Sequence, residues 1–289
     1  MEKKKSAARS VEGGKAAMKI AYFDCFAGAS GDMILGALLD AGLALDALKQ
    51  EIEKLTLSHY DLRVEPVSKN GIGGSRAIVE IDQEHHHHHH RHLSDIRNII
   101  GNSTLAPAVQ QKSLEIFERL ATVEAHVHRT ALDQIYFHEV GAMDAIIDVV
   151  GAVAGLHLLD IQSVYCSPLH VGSGTVHCAH GVLPVPAPAT MELIRGKPVY
   201  STGVRGELLT PTGAAILTTL AAHFGPMPAM VISSVGYGAG DAELDIPNLL
   251  RVALGSCHDH AHPAHEDHHE MPTKIKEADL KAHIHGPSQ

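Results

Sequence analysis

The chain has 289 residues, 45% of them hydrophobic and 19% charged, with a formal charge of −10. That apolar share can build one large domain or two modest ones and excludes disorder throughout. The acidic balance argues against a nucleic-acid partner, which would require a basic surface to displace counterions from phosphates. No apolar run reaches the length of a membrane span, and the lysine-rich start, Met1–Ala17, is not followed by a signal-peptide core. A cytoplasmic protein with no membrane partner is expected. Four cysteines, none in a C-x-x-C pair, are too few for a disulfide scaffold, so reduced thiols are expected.

In chain order, Met1–Ala17 reads as a disordered leader, and Lys19–Asp24 as a buried strand. A small-residue loop, Cys25–Gly31, and a helix over Asp32–Ala41 with Gly42 past its end complete a strand, loop and helix start of α/β type. A helix over Leu45–Leu55 precedes a hairpin of Tyr60–Ser68 and Gly74–Asp82, turned at Asn70-Gly71. Helices follow at Leu93–Ile100, Ala106–Val127 and Ala142–Leu159, the last with Gly151 and Gly155 placed for close approach of a neighbour. Val164–Val171 reads as a strand and Gly181–Thr190, with three prolines, as an extended loop into a helix at Ala189–Arg195. A helix starting at Thr210-Pro211-Thr212 and running through Ala214–Phe224, then strands at Ala229–Gly236 and Asn248–Leu254, end a mixed αβ body spanning 18–255. Residues 256–289, rich in histidine, acid and proline, cannot bury a core and read as a tail.

Histidine is the compositional anomaly. Fifteen of the 24 histidines fall within Gln83–Leu93 and the tail, so the excess is local. His85, His86, His87, His88, His89, His90 and His92 sit in a solvated loop, 84–92, between predicted folded elements, and that internal position argues against an expression tag. His258, His260, His262, His265, His268 and His269 repeat the chemistry among acids. Imidazole tracts suit nickel, zinc and copper alike, and two of them favour a metal reservoir.

Four segments of the body could carry chemistry. Ser30, Gly31 and Asp32 stand at a strand-to-helix loop, where exposed N–H groups suit an anion and the carboxylate a cation; equally, Ser30 could simply cap the helix. His138 and Glu139 precede Asp144 and Asp148, which share a helix face and could bind a metal or move a proton, or else serve as helix-start charge and solvated acid. Cys166, His170, His177, Cys178 and His180 could form a soft nickel site, or the thiols could be buried hydrophobes. The stretches around Gly203–Gly213 and Gly236–Gly240, with Arg205, Thr210 and Thr212, could let backbone approach a phosphate or could be turns.

Taken in order, Phe26-Ala27-Gly28-Ala29-Ser30-Gly31-Asp32-Met33, the histidine tract, His138-Glu139-Val140-Gly141, Leu183–Thr190, Leu209–Gly213 and Gly236–Gly240 resemble the LarC family of nickel insertion proteins, from about Lys19 to Gly255. The resemblance implies insertion of nickel into pyridinium-3,5-bisthiocarboxylic acid mononucleotide, yielding the nickel-pincer nucleotide used by lactate racemase, whose apo form is an expected partner. It also implies coupling to CTP hydrolysis with a divalent cation, magnesium or manganese. Full-length members continue past the equivalent of Gly255 into a domain that holds CTP, so a separate domain is expected to supply it here. Nickel storage or delivery without CTP chemistry is the alternative. Forming a nickel–carbon bond expels a ring proton, and His138 or Glu139 is the candidate base.

Overall fold

The structure, a computed structural model, describes residues 17–82, 91–137, 143–178 and 180–257. His85–His90, His138, Glu139 and the tail histidines His258, His260, His262, His265, His268 and His269 lie outside the described residues. The body is mixed α/β, as the residue pattern predicts.

Strand β1 (Met18–Asp24) feeds α1 (Gly31–Asp40) and α2 (Leu45–Glu53), followed by the hairpin β2 (Tyr60–Lys69) and β3 (Ile72–Ile81). Asn70 and Gly71 both take the positive φ that their turn requires. Helices α3 (Leu93–Gly101), α4 (Pro107–His128) and α5 (Met143–Leu158) come next. Pro107 opens α4 where its missing N–H is harmless, and Arg129 in the left-handed region closes it. Then follow β4 (Ser163–Cys166), the small hairpin β5 (Thr175–Cys178) and β6 (Gly181–Pro184), α6 (Pro188–Leu193), α7 (Pro211–Leu220), β7 (Ala221–Phe224), β8 (Val231–Ala239) and β9 (Leu249–Cys257).

Seven strands form one sheet in the order β7-β4-β1-β9-β8-β3-β2. β1 pairs in parallel with β4 and antiparallel with β9, so the first and last strands of the body are neighbours, with Met18 opposite Cys257. Three segments differ from the residue reading. Gly181–Pro184 pairs with Thr175–Cys178 as a hairpin, with Pro184, which has no N–H to give, at its last pair. Val164–Val171 is broken after Cys166, where Ser167 turns its hydroxyl to the Cys25 N–H at 2.9 Å. The helix expected through Phe224 stops at Leu220, since Ala221–Phe224 pairs with β4 instead.

The core lies between the sheet and a helical layer in which α1 packs on β8, β3 and α5, and α4 packs on α5, α6 and α7. Phe23, Ile34, Leu35, Ile147 and Val150 are fully or almost fully buried. The contact of α1 with β8 is made by backbone. A Cβ on Gly238 would fall on the Met33 carbonyl, and one on Gly36 would fall on the Ser75 carbonyl. Gly236 and Gly238 of the Gly236–Gly240 stretch therefore serve the seating of α1. Gly151 and Gly155 of α5 likewise admit Leu35 and Leu43, as their spacing suggests.

Gly238→Ala is expected to cost roughly 1–3 kcal/mol, the range for overpacking a well-filled interface. A urea unfolding midpoint indistinguishable from that of the unsubstituted chain would contradict this packing.

Candidate functional site

The loop that leaves β1 is fastened to a distant segment. Gly28 N–H closes a turn on the Cys25 carbonyl at 3.0 Å, Ala29 N–H donates to the Leu208 carbonyl at 2.9 Å, and Thr210 N–H donates back to the Ala29 carbonyl at 3.1 Å. Two backbone bonds thus set Ser30 beside Thr210. Ser30 occupies the N-cap position of α1 but makes no capping bond; its hydroxyl donates to the Asp32 carboxylate. Thr210 does cap α7, accepting from Gly213 N–H at 3.2 Å.

A cavity of about 400 Å³ opens at this junction, and it unites five of the predicted residues: Ser30, Asp32, Asp144, Asp148 and Thr210. Asp241 and Glu207 also line it, and Arg76 answers them with an ion pair to Asp241 at 2.5 Å. The lining is therefore predominantly anionic. Asp148 is its innermost acid. A Cβ on Gly31 would fall on the Asp148 carboxylate, so the glycine is what admits that group against α1. Asp148 Oδ1 is sealed from solvent and has no hydrogen-bond partner among the described residues. Burial first, then the charges of Asp32 and Asp144, push the Asp148 carboxyl well above the usual carboxylate range. Burial also raises Asp32, with the Ser30 hydrogen bond opposing the shift. Asp144, by contrast, is exposed, and its carboxylate accepts from Ala145 N–H at 2.9 Å.

Other predicted residues lie elsewhere. Arg205 is exposed, and neither it nor Thr212 lines this cavity. His92 opens α3 by donating its backbone N–H to Asp95 at 2.8 Å, and its Nδ1 donates to the Ile135 carbonyl at 2.9 Å. Among the described residues no group of three His, Cys, Asp or Glu side chains is arranged to hold a metal ion.

The five residues read as a possible soft site are divided by the fold. Cys166 and His170 go inside. Cys166 Sγ lies 3.6 Å from the Sγ of buried Cys25, and all four cysteines are free. Burial and the Cys25 thiol push the Cys166 thiol up, with the Cys25 contact the larger cause. His170 donates from Nδ1 to the Phe26 carbonyl at 2.8 Å, accepts at Nε2 from Thr202 N–H at 3.1 Å and stacks on Tyr200. His177, Cys178 and His180 instead lie on the β5–β6 hairpin, around a second cavity of about 320 Å³ whose other wall is α4. Nothing in the histidine and cysteine spacing reveals this cavity, because its hairpin is masked by prolines and its opposite wall is some fifty residues earlier.

The Nickel insertion protein family matches residues 21–284. The chain belongs to this family. It is 54% identical over 242 residues to the pyridinium-3,5-bisthiocarboxylic acid mononucleotide nickel insertion protein of Desulfitobacterium hafniense strain DSM 10664 / DCB-2, an alignment covering 84% of this chain and 60% of that protein. The protein of the same name from D. hafniense strain Y51 is also 54% identical over 242 residues, with the same coverage. The chain thus spans about 60% of the length of the curated relatives it matches. No solved structure matches it. Within this nickel insertion family member, the family match runs beyond Gly255, where the motif resemblance ends, to residue 284. Among the described residues no helix is long and apolar enough to cross a membrane.

The raised Asp148 carboxyl sets the sign of a pH effect. The folded chain keeps the proton where the unfolded chain has lost it, so stability falls as pH rises from the ordinary carboxylate range through the raised value. Asp148→Asn should therefore raise Tm by several degrees at neutral pH, with the gain vanishing in acid, where both states hold the proton. A gain independent of pH would contradict the assignment.

Proposed function

We propose that the chain takes part in inserting nickel into pyridinium-3,5-bisthiocarboxylic acid mononucleotide. Its support is the family membership together with one observation: the cavity that gathers Ser30, Asp32, Asp144, Asp148 and Thr210 around an unpartnered buried carboxylate oxygen. In this reading nickel is cargo. Asp32 and Asp148 offer it oxygen donors, and Asp148 gives up its proton as the cation arrives, since a nearby positive charge favours the carboxylate. A site with few protein donors holds the ion weakly enough to release it, which insertion requires. The ring proton that leaves when carbon meets nickel is taken by His138 or Glu139, just ahead of α5 in the sequence. The histidine tracts are a reservoir.

CTP and its magnesium or manganese ion belong elsewhere in this scheme. The described cavity carries Asp32, Asp144, Glu207 and Asp241 against one guanidinium already paired with Asp241, and a triphosphate would be repelled. We assign the nucleotide triphosphate to the share of the relatives' length that this chain does not span. That same shortfall favours, as a second reading, a nickel storage or delivery protein with no CTP chemistry of its own.

Mixing the purified chain with metal-free mononucleotide, nickel and CTP, with and without the additional segment of a longer relative, separates the two readings. Nickel-pincer product in either mixture supports insertion; nickel binding without product in both overturns it. His138→Ala should abolish product while most nickel binding persists, and undiminished product would remove His138. Deleting 84–92 and everything after Cys257 should lower the number of nickel ions bound with the far-UV spectrum of the body preserved; unchanged stoichiometry would exclude the reservoir role.

A further inference from the structure

The acidic cavity does not supply what the substrate's ring needs. A pyridinium ring is flat, apolar on its faces and positively charged, so it fits a site with apolar walls, ring faces to stack on and carboxylates at the margin. The cavity between α4 and the β5–β6 hairpin has each of these. Val127, Val176, Leu183, Pro188 and Pro211 give it mainly apolar walls. The imidazoles of His128 and His180 lie on it with centroids 4.9 Å apart and planes tilted by 42°. Glu124 and Glu207 are its carboxylates, and Glu124 lies 3.3 Å from His128 Nε2. Its volume, about 320 Å³, is at the small end of the range for ligand pockets, suited to a ring and not to a whole dinucleotide.

We propose that this second cavity holds the pyridinium ring of the mononucleotide, an inference that rests on the insertion reaction proposed above. His128, His177, Cys178 and His180 gather around the cavity. Glu207, moreover, lines both cavities, and Pro211 of the second follows directly on Thr210 of the first. The two cavities therefore share Glu207, and their linings adjoin where Thr210 meets Pro211. The ring enters one side with its charge balanced by Glu124 and Glu207, and the metal is offered from the other. Cys178, at the hairpin, is a soft donor at the cavity's edge, suited to passing nickel on and not to retaining it.

Direct binding of the metal-free mononucleotide, followed by equilibrium dialysis, tests this against a form whose ring has been reduced to the uncharged dihydropyridine. The full chain should prefer the pyridinium. Val176→Phe, which fills the cavity, should weaken binding by more than about an order of magnitude. Glu124→Gln should weaken pyridinium binding roughly fivefold, as expected for one partly exposed charge pair, and leave the dihydropyridine unaffected. Wild-type affinity in a folded Val176→Phe chain overturns the assignment, as does an equal loss for both ring forms in Glu124→Gln. If Val176→Phe fails to fold, the charge discrimination of Glu124→Gln decides. Ring binding that survives without insertion would count against the reaction and not the subsite; insertion with unaltered binding in both variants would do the reverse.

Discussion

The close seating of α1 on the sheet governs everything that this structure can do. At Gly36 and Gly238 helix and strand meet through their backbones, with no side chain between them. At Gly31 the same economy admits a carboxylate of α5. A helix held at ordinary side-chain distance would leave space for water around Asp148, and the acid would then titrate as acids on a surface do. Proximity of backbone thus creates a buried acid, and the buried acid is the distinctive chemical feature of the first cavity. The Ala29 to Thr210 bonds act with it, carrying the α7 end of the molecule to the start of α1.

Much of this was legible from local signals. Asn70-Gly71, Pro107 and Pro211 mark a turn and two helix starts because each acts through its own backbone geometry. The identity of the first cavity was partly legible as well, since Ser30, Asp32, Asp144, Asp148 and Thr210 each stood out by residue type at an element boundary. What could not be read was their joint occupancy of one place, or the presence of Asp241, Glu207 and Arg76 beside them. Those neighbours arrive through sheet order, which a single sequence does not encode locally. Ala221–Phe224 shows the same limit. Its alanines favour helix, but pairing with β4 satisfies its backbone and overrides the propensity.

The two cavities have opposite characters. One is anionic and holds a proton against solvent; the other is apolar and ringed by imidazole and thiol. Glu207 lines both, and the Leu208–Thr210 segment that follows it and bonds to Ala29 connects it to Pro211 of the second. A displacement of that segment would alter both at once, which makes it a natural point of coupling between organic ligand and metal. Arg76 matters here in a subtler way: by pairing with Asp241 it lowers the charge of the first cavity without placing a cation at its innermost acid.

The pairing of β1 with β9 has a consequence for how the chain becomes a protein. The first strand of the body finds its antiparallel partner only in β9, more than two hundred residues on, and β9 is also the strand that joins β1 to β8. Until Cys257 has been made, the sheet is two fragments with open edges, and apolar strands such as β1 are prone to pair with other chains. The body is therefore closed by a late, long-range event. A chain cut before β9 would yield an aggregating pair of half-sheets, not a smaller version of the same fold.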